Sequence, residues 1–363
     1  MVVLAFFYPF FLAVPNCKFY FKRMNQNIRV LKLKDLLKTG FLGLFVVLIC
    51  QVIALTDFHW GILPFGFSLG MLVGFIELVI FRRFYTDMSL PVLLIGKLIF
   101  YYIGTLLLII VFTIIIAWGI ERNGTIVDLV SEIFTPIKML ESLRVLIPVI
   151  FVVLYLQIET LVGKGMFGKY LRGAYSKPKL EERVFLFVDM IDSTSFAEKL
   201  GDRKYYRLLN GFFRMMSRPL FDSHAEIYKY VGDEVIISWK IKKNRPLDKC
   251  VNTVFNIQKQ IDLEKGRYLE QFGTFPKFRA SMHVGTVICA QVGDLKKEIA
   301  YNGDVLNITS RMQGVCKELR ERLVVSEDVF ERMEHKEKWR PQPLGKVKLK
   351  GKNEEIAIVV LKI

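Results

Sequence analysis

Two stretches, RVFLFVDMIDST from Arg183 to Thr194 and IYKYVGDEVIISW from Ile227 to Trp239, each carry an aspartate where an apolar run breaks into polar residues. Val184 to Val188 has the near-continuous hydrophobicity of a strand buried on both faces, so Asp189 is expected to emerge at its end. The second stretch predicts a hairpin: a strand from Glu226 to Val231, a turn at Gly232-Asp233, and a strand from Glu234 to Trp239. If these strands are neighbours, Asp189 and Asp233 converge although they are 44 positions apart. Two carboxylates that meet repel unless a cation lies between them, which points to Mg2+ or Mn2+. The plainer alternative is that Asp233 only makes a turn and Asp189 only caps the next helix. Residue pattern alone leaves both open.

The chain has 363 residues, 52% of them hydrophobic, and a mean hydropathy of +0.34, too apolar for two ordinary soluble domains. A formal charge of +16 could suggest nucleic acid, but no nucleic-acid-binding motif accompanies it and the basic residues cluster beside apolar stretches. The charge therefore reads as a membrane signal, with lipid as partner and no nucleic acid. The five cysteines show no metal-ligand spacing and fit a reduced cytosolic setting.

Four stretches are long and apolar enough to predict membrane helices, at 39–56, 61–81, 90–119 and 145–162. Lysines and arginines precede the first, follow the second and follow the fourth, so the positive-inside rule puts both termini in the cytoplasm. Residues 1–38 form a cytoplasmic lead-in, with Met24 as an alternative start, and 39–163 a four-helix membrane domain. Glu77 and Lys97 fall in apolar surroundings and could pair with each other; a sensing site is the functional alternative. Residues 164–182 form a basic, glycine-punctuated connector, read either as a signal transmitter or as a segment lying on anionic lipid.

In the remaining part, 183–363, the run from Ser195 predicts one core helix ending at Pro219, and Pro246 to Gln271 a second. Strand-like KFRASMHVG, a hairpin in VICAQVGDLKKEIAYNG, a helix opening at Asp304 as its N-cap, and strands in LVVS, GKVKLK and EIAIVVLKI follow. Helices between strands and hairpins predict an α+β sheet covered on one face. Asn307 and Arg311 share a helical face, where an amide beside a guanidinium suits an anion, or is simply solvated.

The wording F-x-D-x-x-x-S-T, K-Y-V-G-D-E and N-G-D-V-L-N-I-T-S-R resembles the catalytic domain of the class III nucleotidyl cyclases, the adenylate and guanylate cyclase family, over roughly residues 180–363. The resemblance implies a ferredoxin-like βαββαβ core and cyclisation of ATP to 3′,5′-cyclic AMP and pyrophosphate. It implies two Mg2+ or Mn2+ ions on Asp189 and Asp233, Asn307 and Arg311 as the transition-state clamp, and Lys350 on the terminal phosphates. Lys229 matches the adenine-reading lysine, where a guanylate cyclase usually carries glutamate. Ala300 stands at the second base-reading position and cannot hydrogen-bond a base. Ser193 and Thr194 replace part of the usual phosphate loop, and Asp192 adds a negative charge there. The family's site lies between two catalytic domains, so a homodimer in the bacterial inner membrane with its catalytic part in the cytoplasm is expected. Guanylate cyclase and a catalytically silent membrane receptor are the alternatives.

Overall fold

The computed structural model describes residues 33–54, 62–77, 90–119, 135–136, 143–163, 166–241, 246–348 and 355–362. The chain divides into two compact units, Met1–Leu161 and Val162–Ile363.

The first unit contains helices α1 (Leu33–Ala54), α2 (Ile62–Phe75), α3 (Leu90–Gly119) and nearly all of α4 (Leu146–Val162). Leu69, Val73, Phe100, Tyr101, Val149 and Val152 are buried together. In α2, Gly66, Gly70 and Gly74 recur every fourth residue and let α1 approach closely: a methyl at Gly70 would strike the Thr39 carbonyl oxygen, and one at Gly74 the Thr39 hydroxyl. Lys97 and Glu77 are both buried and pair as the sequence allowed, Lys97 Nζ donating to Glu77 Oε1 at 2.7 Å and Oε2 at 3.0 Å, with the Tyr101 hydroxyl donating to the same carboxylate. Among the described residues, one helical segment, Gly96–Ile115, is long and apolar enough to cross a bilayer; Leu36–Ile49, Leu63–Phe75 and Leu146–Glu159 are shorter apolar helices. The expected spans at 39–56 and 61–81 extend partly outside the described residues.

The second unit starts with α5 (Met166–Leu171) and is built on one sheet. Its strands are β1 (Lys179–Met190), β2 (Glu226–Val231), β3 (Glu234–Lys240), β4 (Phe278–Val292), β5 (Glu298–Asn302), β6 (Leu323–Ser326), β7 (Pro341–Lys348) and β8 (Glu355–Leu361). They lie in the order β2-β3-β1-β4-β6-β8-β7, with β5 paired to the C-terminal half of β4. The first four strands, with helices after β1 and β3, make the ferredoxin-like βαββαβ core.

Alternate residues of β1 bury in opposite directions. Val184, Leu186, Val188 and Met190 pack with α7 (Asp202–Ser223) and α8 (Asp248–Phe272), while Phe185 and Phe187 pack with Tyr301 and Val305. Helix α9 (Asp304–Glu318) covers much of this second face, with Ile308, Met312 and Cys316 against Val324, Ile358 and Val360. The sheet is thus covered on both faces, not one. The double burial of β1 already demanded it, because every inward direction needs an apolar partner.

Local boundaries differ from expectation in three places. The single helix after Thr194 is two, α6 (Ser193–Leu200) and α7, because Gly201 at φ 70° breaks the run. Pro219 lies inside α7, which continues to Ser223. Asp304 is the first helical residue of α9, with Gly303 as the N-cap and no side-chain cap bond. Phe212 of α7 has no exposed surface, so Phe212→Ala should cost about 3–5 kcal/mol. Denaturant unfolding of the full chain, followed by the fluorescence of buried Trp239 and Trp339, measures it.

Candidate active site

Asp189 is the next-to-last residue of β1, and antiparallel pairing sets it opposite Glu234 of β3 on one side and Arg279 of β4 on the other. Asp233 follows Gly232, whose φ of 62° supplies the left-handed turn between β2 and β3. The turn sets Asp233 next to Glu234, directly across from Asp189, so the charge of one aspartate acts on the other. Burial first, and then the Asp233 charge, pushes the Asp189 carboxyl up to about 6, with Arg279 and Lys317 pulling the other way. Burial also pushes Glu234 up to about 7, with Asp189 and Asp233 adding to it. Arg279 Nε lies 3.6 Å from Asp189 Oδ2 and makes no hydrogen bond.

Such an all-oxygen, mutually repelling donor set fits a hard divalent cation. Among the described residues, no group of three or more His, Cys, Asp or Glu side chains has metal-binding geometry. A cation held by two carboxylates alone completes its shell with water and substrate phosphate, as Mg2+ commonly does.

The loop after β1 turns through Asp192, exposed, at φ 60°, and without a capping bond. Ser193 and Thr194 open α6 immediately behind it. Burial, followed by the Asp233 charge, raises the pKa of the Tyr205 phenol on α7. Asn307 is exposed on α9, and Arg311, one turn later, is half-buried with a buried Nη1 that makes no hydrogen bond. Helix α9 is fixed from below: Ser281 Oγ donates to the Thr309 carbonyl at 2.8 Å and Gln313 Nε2 to the Arg279 carbonyl at 3.2 Å.

Lys229 on β2 lies 3.5 Å from Glu298 of β5 and over the Tyr228 ring at 5.4 Å. Ala300, two residues after Glu298, faces Ala290 across the β4-β5 hairpin. The fold therefore brings Lys229 to the strand that carries Ala300, as it brings Asp189 to Asp233. Within one chain it does not hydrogen-bond or ion-pair Asn307 or Arg311 to either aspartate; Arg279 and Lys317 are the leading cations acting on Asp189. Lys350 lies outside the described residues, and its neighbours Lys346 and Lys348 are exposed on β7.

Sequence reasoning missed Glu234, Arg279, Tyr205 and Glu298. Glu234 adjoins Asp233 and could have been found by extending the hairpin argument. Arg279 becomes visible only once β1 is paired with β4, since nothing local marks it.

Residues 176–362, more than half of the chain, match the family of adenylate and guanylate cyclase catalytic domains. The chain is 36% identical over 230 residues to "Adenylate cyclase 2" of Rhizobium meliloti (strain 1021), a match covering 61% of this chain and 62% of that protein. It is 26% identical over 183 residues to an adenylate cyclase of Anabaena cylindrica, covering 49% of this chain and 36% of that one. A bacterial light-regulated adenylyl cyclase structure superposes with a TM-score of 0.52 at 19% identity over 61% of this chain and 65% of that one, a likeness of fold. The chain belongs to the adenylate and guanylate cyclase catalytic domain family, and it spans less than two thirds of the length of these curated relatives.

Asp189 and Glu234 hold protons to a higher pH folded than unfolded, so these two sites bind more protons in the folded protein from about pH 5 to pH 7, above the range where Glu181 acts the other way. The stabilisation they give metal-free protein should therefore be lost as pH rises through that window. In Asp233→Asn the fall should be shallower, because a repelling charge is gone; Tm against pH in the presence of a chelator tests this.

Proposed function

We propose that this chain is a membrane-bound adenylate cyclase that forms 3′,5′-cyclic AMP and pyrophosphate from ATP at sites shared by two copies of itself. The observation that carries the reading is the meeting of Asp189 and Asp233, whose mutual repulsion and burial make them a cation site in a chain of this family.

Asp189 and Asp233 would hold Mg2+ or Mn2+, two ions per site, which when bound supply activation of the ribose 3′-oxygen and neutralisation of the leaving pyrophosphate. Ser193, Thr194 and the first N–H groups of α6 face the triphosphate. Arg279, beside Asp189, adds a fixed positive charge there, and Lys350 is assigned to the terminal phosphates. Lys229 donates to the adenine edge, with Ala300 beside it leaving one fewer hydrogen bond for the base. Arg311, whose buried Nη1 has no hydrogen-bond partner among the described residues, and Asn307 stabilise charge on the phosphoryl group under attack.

Among the described residues no hydrogen bond or ion pair joins Asn307 or Arg311 to Asp189 or Asp233, which favours a two-fold homodimer in which each copy completes the other's site. Ile288, Val292 and Leu295 of the β4-β5 hairpin are exposed and give such a dimer an apolar contact. Lys229 and the names of the relatives favour ATP over GTP.

The first unit is assigned to the bacterial inner membrane with four spans and the catalytic part in the cytoplasm. Support comes from its outward-facing apolar residues: Phe41 is 63% exposed, Phe45 61%, Ile115 59% and Phe151 56%, a cost in water and a gain in lipid. If so, the protein stays in the pellet after alkaline carbonate extraction; release into the supernatant contradicts it.

The activity is tested by mixing. Asp189→Ala and Arg311→Ala chains should each fall by at least about a hundredfold in kcat, the scale of losing a charge-stabilising group. Co-assembled, they should recover up to about a quarter of wild-type turnover, from the one intact site in mixed dimers. Cyclic AMP formation with Mn2+ is measured, with GTP in parallel. No recovery despite proven co-assembly defeats the shared site, and cyclic GMP as the main product replaces the substrate.

A further inference from the structure

Arg183 is fully buried in β1 and is the meeting point of four segments. Its Nη2 donates to Glu226 Oε2 of β2 at 2.5 Å, its Nη1 to Ser238 Oγ of β3 at 2.6 Å, and its Nε to Glu181 Oε2 at 3.1 Å, while the guanidinium lies over the Tyr301 ring of β5 at 4.4 Å. The second oxygen of Glu226 is taken from outside the core sheet: Lys169 Nζ of α5 donates to Glu226 Oε1 at 2.7 Å. Helix α5 and the segment after it are held from β4 as well, Gln291 Nε2 donating to the Tyr170 hydroxyl at 3.2 Å and the Gln291 N–H to the Tyr175 carbonyl at 2.9 Å.

The partners of this hub sit next to the base-reading positions. Glu226 precedes Lys229 by three residues on β2, and Tyr301 follows Ala300 on β5. The Tyr301 N–H donates to the Tyr228 hydroxyl at 3.3 Å, tying the two strands together at that point. Between Ile227 and Lys229 the β2-β3 register slips, so Lys229 hangs from an irregular strand whose aim depends on how its ends are held. We propose that Lys169 and Glu226 are positioning residues for nucleotide recognition: by holding Glu226 against Arg183, the connector helix α5 sets where Lys229 stands relative to β5, and so how tightly and selectively the base is bound. The inference rests on the adenylate cyclase reading and adds to it the route by which the segment preceding the catalytic sheet reaches the substrate.

In the full-length protein in membranes, Lys169→Met removes the charge and keeps the apolar stem, and Lys169→Arg keeps the charge. Lys169→Met should raise KM for ATP about five- to tenfold, the scale of one partly buried charged hydrogen bond, with kcat changed less than about twofold. The ratio of kcat/KM for ATP over GTP should shrink, and Lys169→Arg should restore both. Glu226→Gln, which keeps size and a hydrogen-bonding oxygen, should shift KM and selectivity in the same direction. Chymotryptic cleavage at Tyr170 or Leu171 should quicken in Lys169→Met, an activity-independent sign that α5 has let go. Faster cleavage with unchanged KM and selectivity reduces the contact to an anchor and overturns the proposal; so does unchanged cleavage. Affinity for a fluorescent ATP analogue separates the two readings. A wild type that binds it but makes no cyclic nucleotide defeats the cyclase assignment, whereas the positioning role then stands or falls on whether Lys169→Met weakens that binding.

Discussion

A guanidinium without exposed surface must find its counter-charges and hydrogen-bond acceptors inside the protein, and Arg183 imposes that demand on the centre of the catalytic unit. Removing one partner from a buried ionic group of this kind costs about 3–5 kcal/mol, so Glu181, Glu226 and Ser238 are not independent choices. Glu181 shows the strength of the arrangement: burial alone would raise its carboxyl, yet Lys240 and Arg183 hold it down at about 2. The same positive charge lies against Tyr301, whose phenol is nonetheless driven well above its ordinary value by burial. Geometry follows from this. β2 and β5 are separated in the sheet by β3, β1 and β4, yet the Tyr228 and Tyr301 rings lie 4.6 Å apart, so the long β4 and its hairpin must curl back over the face that carries Arg183. A flat sheet would leave the guanidinium half in water and Lys229 far from Ala300.

The other charged centre of this unit works in the opposite sense. Around Arg183 unlike charges are matched, whereas Asp189, Asp233 and Glu234 are like charges forced together by strand register and a glycine turn. That frustration has a purpose only if something positive enters, which Arg279 supplies in part from β4. On the far side of the requirement stands Arg311, a cation with a buried and unsatisfied nitrogen. Among the described residues no hydrogen bond or ion pair joins this cation to the carboxylates.

In the helical unit the same logic appears in apolar form. Small residues at Gly66, Gly70 and Gly74 remove the side chains that would keep α1 and α2 apart, and the buried Glu77 carboxylate accepts from both Lys97 and Tyr101. Both devices suit surroundings in which burying apolar surface gives no preference for helix contact and an open charge has no water to turn to.

Much of this was legible in the residues themselves. The apolar run before Asp189, the Gly232-Asp233 turn and the N-x-x-x-R spacing required only local rules, and they placed the strand end, the hairpin and the helix that carries Asn307 and Arg311. The Gly66-Gly70-Gly74 repeat was equally local and could have been read. Other features had no local signature. Whether α9 covered the second face, whether Arg279 opposed Asp189, and whether Glu226 would be shared by Lys169 and Arg183 depended on which strands became neighbours. Periodicity tells a residue which way it points; only the pairing of distant strands tells it what it meets, because the energy of a buried charge belongs to its surroundings and not to its own stretch of chain.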